Sequence, residues 1–287
     1  MWNLNYSSAS EIKKILEENS LAMSKKFGQN FLLSESAREF IVSSLEIEST
    51  DTVFEIGPGL GAITALMIKK AKDVYSFEID NGFCSLLKNK AFRDEENFHL
   101  VPGDALKTLF SINVKPSLIA GNLPYNVGSI IIARLIENDV TPRRMVFTLQ
   151  KEVVERMVAK NKSSSYSSFS ILCQMDYEVS LEKVIKSTSF YPSPNVDSAV
   201  VVMKKREKVL VPPFMRSFFI SFNRAVFLQR RKNIKNNLRT FCSPDFTKEE
   251  LDELIKKAGL TGSERAEDFS FDELLSLASI FFSRLEK

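Results

Sequence analysis

Along the first two thirds of the chain, short runs of β-branched, aromatic and aliphatic residues alternate with stretches whose apolar positions recur at helical spacing. TVFEIG (52–57), DVYSFEI (73–79), NFHLV (97–101), SLIAG (117–121) and RRMVFTL (143–149) read as strands. Strands separated by helical segments predict a mostly parallel, doubly wound α/β sheet of Rossmann-like type. Two further runs, FSILCQMDYEV (169–179) and SAVVVMK (198–204), have little helical pattern between them and predict antiparallel strands added at the sheet edge. The prolines of VLVPPF (209–214) interrupt the pattern. Beyond them RSFFISFNRAVF, RRKNIKNNLRTF, TKEELDELIKKAGL and SFDELLSLASIFFSRLEK read as helices. Thr247 and Ser270 are expected N-caps, because Glu250 and Glu273 follow at capping-box spacing. The expected organisation is an α/β domain over 1–208 and a small helical domain over 209–287. The Ser-rich KSSSYSS (162–168) reads as a mobile loop, and no internal repeat is visible.

Composition narrows the classes of protein this can be. With 287 residues, 44% of them hydrophobic, the chain can bury one large core and one small one. The N-terminus lacks the basic start and apolar run of a secretory signal, and no 18-residue apolar segment occurs, so a cytoplasmic location is expected. Cys84, Cys173 and Cys242 are too scattered to suggest a zinc site or a disulfide framework. His99 is the only histidine, which makes a histidine-based nucleophilic relay a poor candidate. The net charge of +3 hides an asymmetry: between Val201 and Phe241 eleven Lys and Arg stand against one acid, Glu207, so the rest of the chain is net acidic. A basic segment on an acidic chain points to a polyanion partner or to a solvated helix face, with equal weight on this ground alone. Arg230, Arg231, Lys232 and Lys235 are the candidate contacts, with Lys25, Lys26, Lys160 and Lys162 next in line.

Candidate chemistry begins at EIGPGLGAITALMI (55–68). Gly57, Gly59 and Gly61 follow a strand and open a helical pattern, where missing side chains let a ligand lie against backbone N–H groups. Glu78, 21 residues after Gly57, ends the next strand, where a carboxylate accepts both hydroxyls of a ribose. G-x-G-x-G differs from the dinucleotide fingerprint and offers no pyrophosphate cradle. A nucleoside without phosphates fits better, and S-adenosylmethionine is the commonest. Asp104 in VPGDAL ends the third strand and can accept from an adenine amine.

The fourth strand ends in GNLPYN (121–126). There the Asn122 side-chain oxygen and the Pro124 carbonyl can accept from an NH2 group while Tyr125 stacks on the ring that bears it. An amine held by two acceptors loses conjugation with its ring, so its lone pair becomes available to an electrophilic methyl group. Neither a metal nor a general base is needed; positioning and electrostatics do the work.

These segments, with KKFGQNFL (25–32), FTLQKEVVERMVA (147–159), FYPSPNVDSAVV (190–201) and QRRKNIKNNL (229–238), resemble in order the KsgA family of ribosomal RNA adenine N6-dimethyltransferases, most closely its bacterial small-subunit members. The resemblance covers nearly the whole chain. It implies a class I methyltransferase sheet, S-adenosyl-L-methionine as cofactor with S-adenosyl-L-homocysteine as product, and no metal. It implies that Asn30 and Leu32 close over the cofactor, that Gly57, Glu78, Asp104 and Asn122 contact it, and that Asn122, Leu123, Pro124 and Tyr125 form the catalytic motif. Phe190 matches the aromatic residue that covers the other face of the target base. The implied reaction is N6,N6-dimethylation of two adjacent adenosines in a loop near the 3′ end of 16S rRNA, on a small-subunit precursor. Membrane partners are not expected, and a monomer is. The chain departs from the bacterial pattern at Tyr166-Ser167-Ser168, where glycine commonly follows the tyrosine.

Three alternatives are weighed against this. An erythromycin-resistance methyltransferase acting on 23S rRNA typically carries isoleucine where Leu123 stands. An assembly factor in which binding outweighs catalysis would not need an intact GNLPYN and Glu78. A DNA adenine methyltransferase generally has proline at the second position of its tetrapeptide, and ranks last.

Overall fold

The computed structural model describes residues 2–21, 29–242 and 246–285; Lys25, Lys26, Phe27 and Gly28, the first half of KKFGQNFL, lie outside them. Two compact units result. The first comprises Met1–Leu135, Val140–Val154 and Val179–Lys205, the second Ile136–Asp139, Glu155–Glu178 and Arg206–Lys287. The units therefore do not follow a single cut in the sequence.

In chain order the first unit begins with α1 (Ala9–Glu18), β1 (Phe31–Leu32), α2 (Glu35–Ser44), β2 (Thr52–Ile56), α3 (Thr64–Met67), β3 (Asp73–Glu78) and α4 (Asn81–Leu86). It continues with β4 (Phe98–Pro102), α5 (Ala105–Thr108), β5 (Leu118–Asn122), α6 (Gly128–Glu137), β6 (Arg144–Gln150) and α7 (Lys151–Val158). After α8 (Ser168–Asp176), which belongs to the second unit, come β7 (Tyr177–Ile185), β8 (Phe190–Tyr191) and β9 (Ser198–Lys205). Seven strands form one sheet in the order β4-β3-β2-β5-β6-β9-β7. β2 pairs in parallel with β3 and β5, β3 with β4, and β5 with β6, while β9 runs antiparallel to β6 with Met145 opposite Met203. The sheet is covered on both faces, which is why β6 reads as an apolar run interrupted only by Thr148: Met145, Val146, Phe147, Thr148 and Leu149 are all buried. β1 and β8 make a separate antiparallel pair in which Leu32 faces Phe190.

Two expectations need correction. FSILCQMDYEV is not one strand: its first part is the helix α8, and β7 begins only at Tyr177. Ser170, Ile171, Leu172, Cys173 and Met175 are all buried, so the helix has almost no polar face and lacks the 3.6-residue alternation that would have revealed it. Nor is KSSSYSS a loose loop. Tyr166 is buried with its ring edge-on to Phe227, the Lys162 N–H donates to the Glu267 carbonyl at 2.8 Å, and the Ser167 N–H donates to Ser170 Oγ at 3.1 Å, starting α8.

The second unit contains α9 (Arg216–Val226), α10 (Ile234–Cys242), α11 (Lys248–Lys257) and α12 (Phe271–Leu285). Thr247 and Glu250 make the reciprocal capping bonds of α11, and Ser270 and Glu273 make those of α12. The core is aromatic, with Phe222 packed against both Phe241 and Phe281. Arg216 joins the unit's three chain segments, donating to both carboxylate oxygens of Asp176 and to the Ile136 carbonyl, each at 2.7 Å. The helix expected over RRKNIKNNLRTF starts late, at Ile234. Asn237 explains the delay: its Nδ2 donates to the Val226 carbonyl at 2.7 Å while its Oδ1 accepts from the Gln229 N–H at 3.2 Å, holding the preceding residues in a turn.

Candidate active site

Parallel strands leave their C-terminal ends along one edge of the sheet, and there β2, β3, β4 and β5 surround a cavity of about 310 Å3 in the first unit. Asn30, Leu32, Gly57, Gly59, Glu78, Asp104, Asn122 and Pro124, predicted from sequence, all line it. Leu123 is buried in the core and does not line the cavity, and neither does Tyr125. Phe190 is 3% exposed, with its side chain in the main hydrophobic core.

The glycine turn is built for close approach. Gly57, Gly59 and Gly61 have φ of +69°, +57° and +85°, a region that side chains rarely adopt. A Cβ on Gly57 would meet nothing within 4 Å, so its absence leaves room for a ligand against the backbone, whereas one on Gly59 would press on the Phe31 ring at 3.3 Å. The helix expected to follow is short: α3 has four residues and is flanked by turns.

Glu78, the last residue of β3, is 4% exposed. One carboxylate oxygen accepts from the Gly59 N–H at 3.1 Å, the other from the Asp80 N–H at 2.9 Å. Burial pushes this carboxyl up to about 7, against the pull of those N–H donors. Behind it lies a second acid, the first residue of the EIGPGLG stretch, which the sequence pattern does not mark as functional. Glu55 Oε2 accepts from Thr64 Oγ1 at 2.5 Å and Ser76 Oγ at 2.8 Å, tying β2, α3 and β3 together under the glycine turn. Burial pushes Glu55 up to about 7 as well. Asp104 caps α5 by accepting from the Leu106 N–H at 3.0 Å, and Ile79 adds an exposed apolar side chain to the lining.

At the end of β5, Asn122 Nδ2 donates to the Asn30 carbonyl at 2.8 Å, which turns the side-chain amide of one motif toward the backbone of another. Tyr125 is half-buried, and its phenol lies 2.6 Å from the hydroxyl of the fully buried Ser198. Open glycine backbone, a buried carboxylate with two oriented oxygens and apolar side chains beside Asp104 together suit an adenosine-type cofactor. Tyr6 and Ile12 also line the cavity. Nothing local in the sequence marked them, because they arrive from the N-terminal segment only when the chain folds.

The candidate RNA-binding cations stand in the second unit. Arg230, Arg231 and Lys232 occupy the turn before α10, where they border a recess with Gln229. Arg230 donates to the Ser164 carbonyl at 2.7 Å and pairs with Glu267 at 3.1 Å, and Lys235 pairs with Asp252 at 2.6 Å.

The sequence profile of the family described as "Ribosomal RNA adenine dimethylase" matches residues 21–281. A protein of Treponema denticola named ribosomal RNA small subunit methyltransferase A is 41% identical over 282 residues, which cover 96% of this chain and 95% of the relative. A protein of the same name from Streptococcus thermophilus is 34% identical, covering 93% and 94% of the two chains. Among solved structures, a dimethyladenosine transferase from Plasmodium falciparum superposes with a TM-score of 0.74 at 24% identity over 88% of this chain and 97% of that one. The 23S rRNA methyltransferase ErmE gives 0.63 at 21% identity, over 89% and 99%. Both superpositions speak to the fold.

Proposed function

The chain belongs to the ribosomal RNA adenine dimethylase family, and we propose that it methylates N6 of two adjacent adenosines in a loop near the 3′ end of 16S rRNA, using S-adenosyl-L-methionine and acting on a small-subunit precursor. The observation that carries this reading is the meeting of Asn122 with Asn30 in the lining of a cavity that Glu78 also lines. The bound cofactor supplies the electrophilic methyl group.

The chain's own residues do the rest. Glu78 receives the ribose hydroxyls and Asp104 the adenine amine of the cofactor. The bond from Asn122 Nδ2 to Asn30 orients the amide so that its oxygen accepts from the target amine, together with the Pro124 carbonyl. Tyr125, pinned by Ser198, gives the target base a flat surface. A target held this way must be out of its stack, which costs least in an RNA loop. For Phe190 to cover the second face of the base, its ring must leave the core when RNA binds. Arg231 and Lys232, with Arg230 and Lys235, are assigned to phosphate contacts that orient the particle. The names of the relatives favour the small-subunit substrate over 23S rRNA.

The test is to methylate immature small subunits with labelled cofactor and map the modified bases by primer extension. Label on two adjacent adenosines of 16S rRNA is the expected result. Label on 23S rRNA instead would replace the small-subunit reading with the erythromycin-resistance one.

A further inference from the structure

A buried arginine outside the glycine turn and the Asn-Leu-Pro-Tyr motif holds one wall of the cavity in place. Arg38, on α2, is 6% exposed. Its Nη1 donates to the carbonyls of Leu32 at 2.9 Å and Leu33 at 2.7 Å, and its Nη2 donates to Ser7 Oγ at 3.0 Å. A longer contact reaches the Tyr6 carbonyl at 3.4 Å. A cation out of water is tolerated only when its donors are taken up. Here they are taken up by two chain segments far apart in sequence, the one around Tyr6 and Ser7 and the one at β1. Loss of either segment leaves a buried guanidinium with unpaired donors, so the arginine couples the two.

Those segments form the wall. Tyr6, Phe31 and Leu32 line the cavity, whereas Arg38 and Ser7 do not. The Tyr6 phenol accepts from Trp2 Nε1 at 2.8 Å, and the Trp2 N–H donates to the Ala91 carbonyl at 3.1 Å. Ile12 and Leu16 of α1 pack with Leu60, Phe83 and Leu86 in a hydrophobic cluster separate from the main core, with Trp2, Tyr6 and Phe31 against it. The N-terminal segment is therefore a roof held by a small satellite cluster, by Trp2 and Tyr6 at the margin of the main core, by the Trp2–Ala91 bond and by one arginine. Structure attached in this way opens at a lower free energy than the strands beneath it.

We propose that Arg38 is a positioning residue that locks the N-terminal segment to β1 as the closing wall of the cofactor cavity, and so sets how fast cofactor and spent cofactor leave. This rests on the reading that the cavity takes S-adenosylmethionine. Because Arg38 acts through Tyr6, Phe31 and Leu32, its loss changes cofactor release and leaves the geometry of Asn122 and Tyr125 alone.

The experiment is titration of the full chain with S-adenosylmethionine and with S-adenosylhomocysteine, with dissociation followed by stopped flow. Arg38→Met keeps the apolar stem and removes the donors. It is expected to weaken both ligands at least tenfold, with most of the change in the dissociation rate, and to leave the rate of a single methyl transfer at saturating cofactor near that of the parent. Deleting residues 2–7 is expected to weaken both ligands through the dissociation rate as well, and the two changes combined to cost less than the sum of their separate effects, since they break one joint. Parent affinity in either the arginine variant or the deletion overturns the proposal, as do effects that simply add. If Arg38→Met loses its cooperative thermal transition, Ser7→Ala, which removes the Nη2 acceptor and leaves Arg38 and Tyr6 in place, decides: faster release of both ligands is expected, and parent affinity and release rates overturn the proposal. A parent chain that binds neither ligand refutes the cofactor assignment itself, a result distinct from any of these.

Discussion

The phenol of Tyr125 and the hydroxyl of Ser198 lie 2.6 Å apart, joining the residue after β5's Asn-Leu-Pro turn to the first residue of β9. Ser198 is the last residue of FYPSPNVDS, so one family motif fixes the ring of another. Replacing Ser198 with Ala removes the pin and is expected to lower methyl transfer about tenfold. Tyr125→Ala, which removes the ring, should lower it about a hundredfold, the scale of a misplaced reactant. Cofactor affinity, measured by calorimetry, should stay at the parent value in both. Near-parent turnover in both would make GNLPYN a structural turn.

Glu78→Ala should weaken S-adenosylmethionine binding by roughly 1.5–3 kcal/mol, the usual cost of losing a hydrogen-bonding partner that is charged. Asn122→Ala differs in kind: it should abolish transfer while taking only part of the affinity, because its amide contacts the Asn30 carbonyl and, in the proposed reaction, accepts from the target amine. A folded Glu78→Ala protein with parent affinity would remove the ribose assignment.

Two buried carboxyls predict an unusual pH response. Glu55 and Glu78 are each pushed from an ordinary 4.5 to about 7, chiefly by burial. A group that holds its proton more tightly when folded favours the folded state at low pH, and loses that contribution as pH rises from its unfolded to its folded value. The parent should therefore lose stability relative to Glu55→Gln between about pH 4.5 and pH 7, by on the order of 3 kcal/mol, and the difference should be flat above that window. Urea midpoints of the two proteins across pH 4.5–8 provide the check. A difference that does not vary with pH would show that Glu55 titrates normally.

The cation cluster yields a graded prediction. Arg230 already engages Glu267 and the Ser164 carbonyl, so Arg231 and Lys232 should carry most of the phosphate contact. Each contact adds about 0.7–0.9 to the slope of log affinity against log salt. Exchanging Arg231 and Lys232 for Gln should thus flatten the salt dependence of small-subunit binding by about 1.5, with cofactor affinity intact. Exchanging Arg230 alone should change the slope less. Titration of immature subunits at several salt concentrations separates these outcomes, and an unchanged slope in the double variant would place RNA docking elsewhere.

What could be read from the chain was whatever its chemistry keeps local. The glycines of EIGPGLG, the acid at the end of the next strand and the amide of GNLPYN each sit where a parallel sheet delivers strand ends, so strand assignment alone gathered them. Residues that act through register were not legible. Ser198 meets Tyr125 only because β9 pairs beside β6, and Tyr6 reaches the cavity only because the N-terminal segment packs back beside β1, where Trp2 and Arg38 contact Tyr6. The helix α8 was misread because burial on nearly every side erased its periodicity. The turn at Arg230–Lys232 was misread because the Asn237 side chain, and not the helical pattern, decides where α10 starts.

The place of β9 in the sheet also dictates an order of events during synthesis. β7 is made before β9, yet β9 lies between β7 and β6. As the chain leaves the ribosome, β2 through β6 can find their parallel partners in turn, but β7 must wait, its edge unpaired, until Lys205 has emerged and β9 can slip in beside β6. A protein whose expected substrate is a half-built ribosome thus completes its own sheet only when its penultimate strand in space, and last in sequence, arrives.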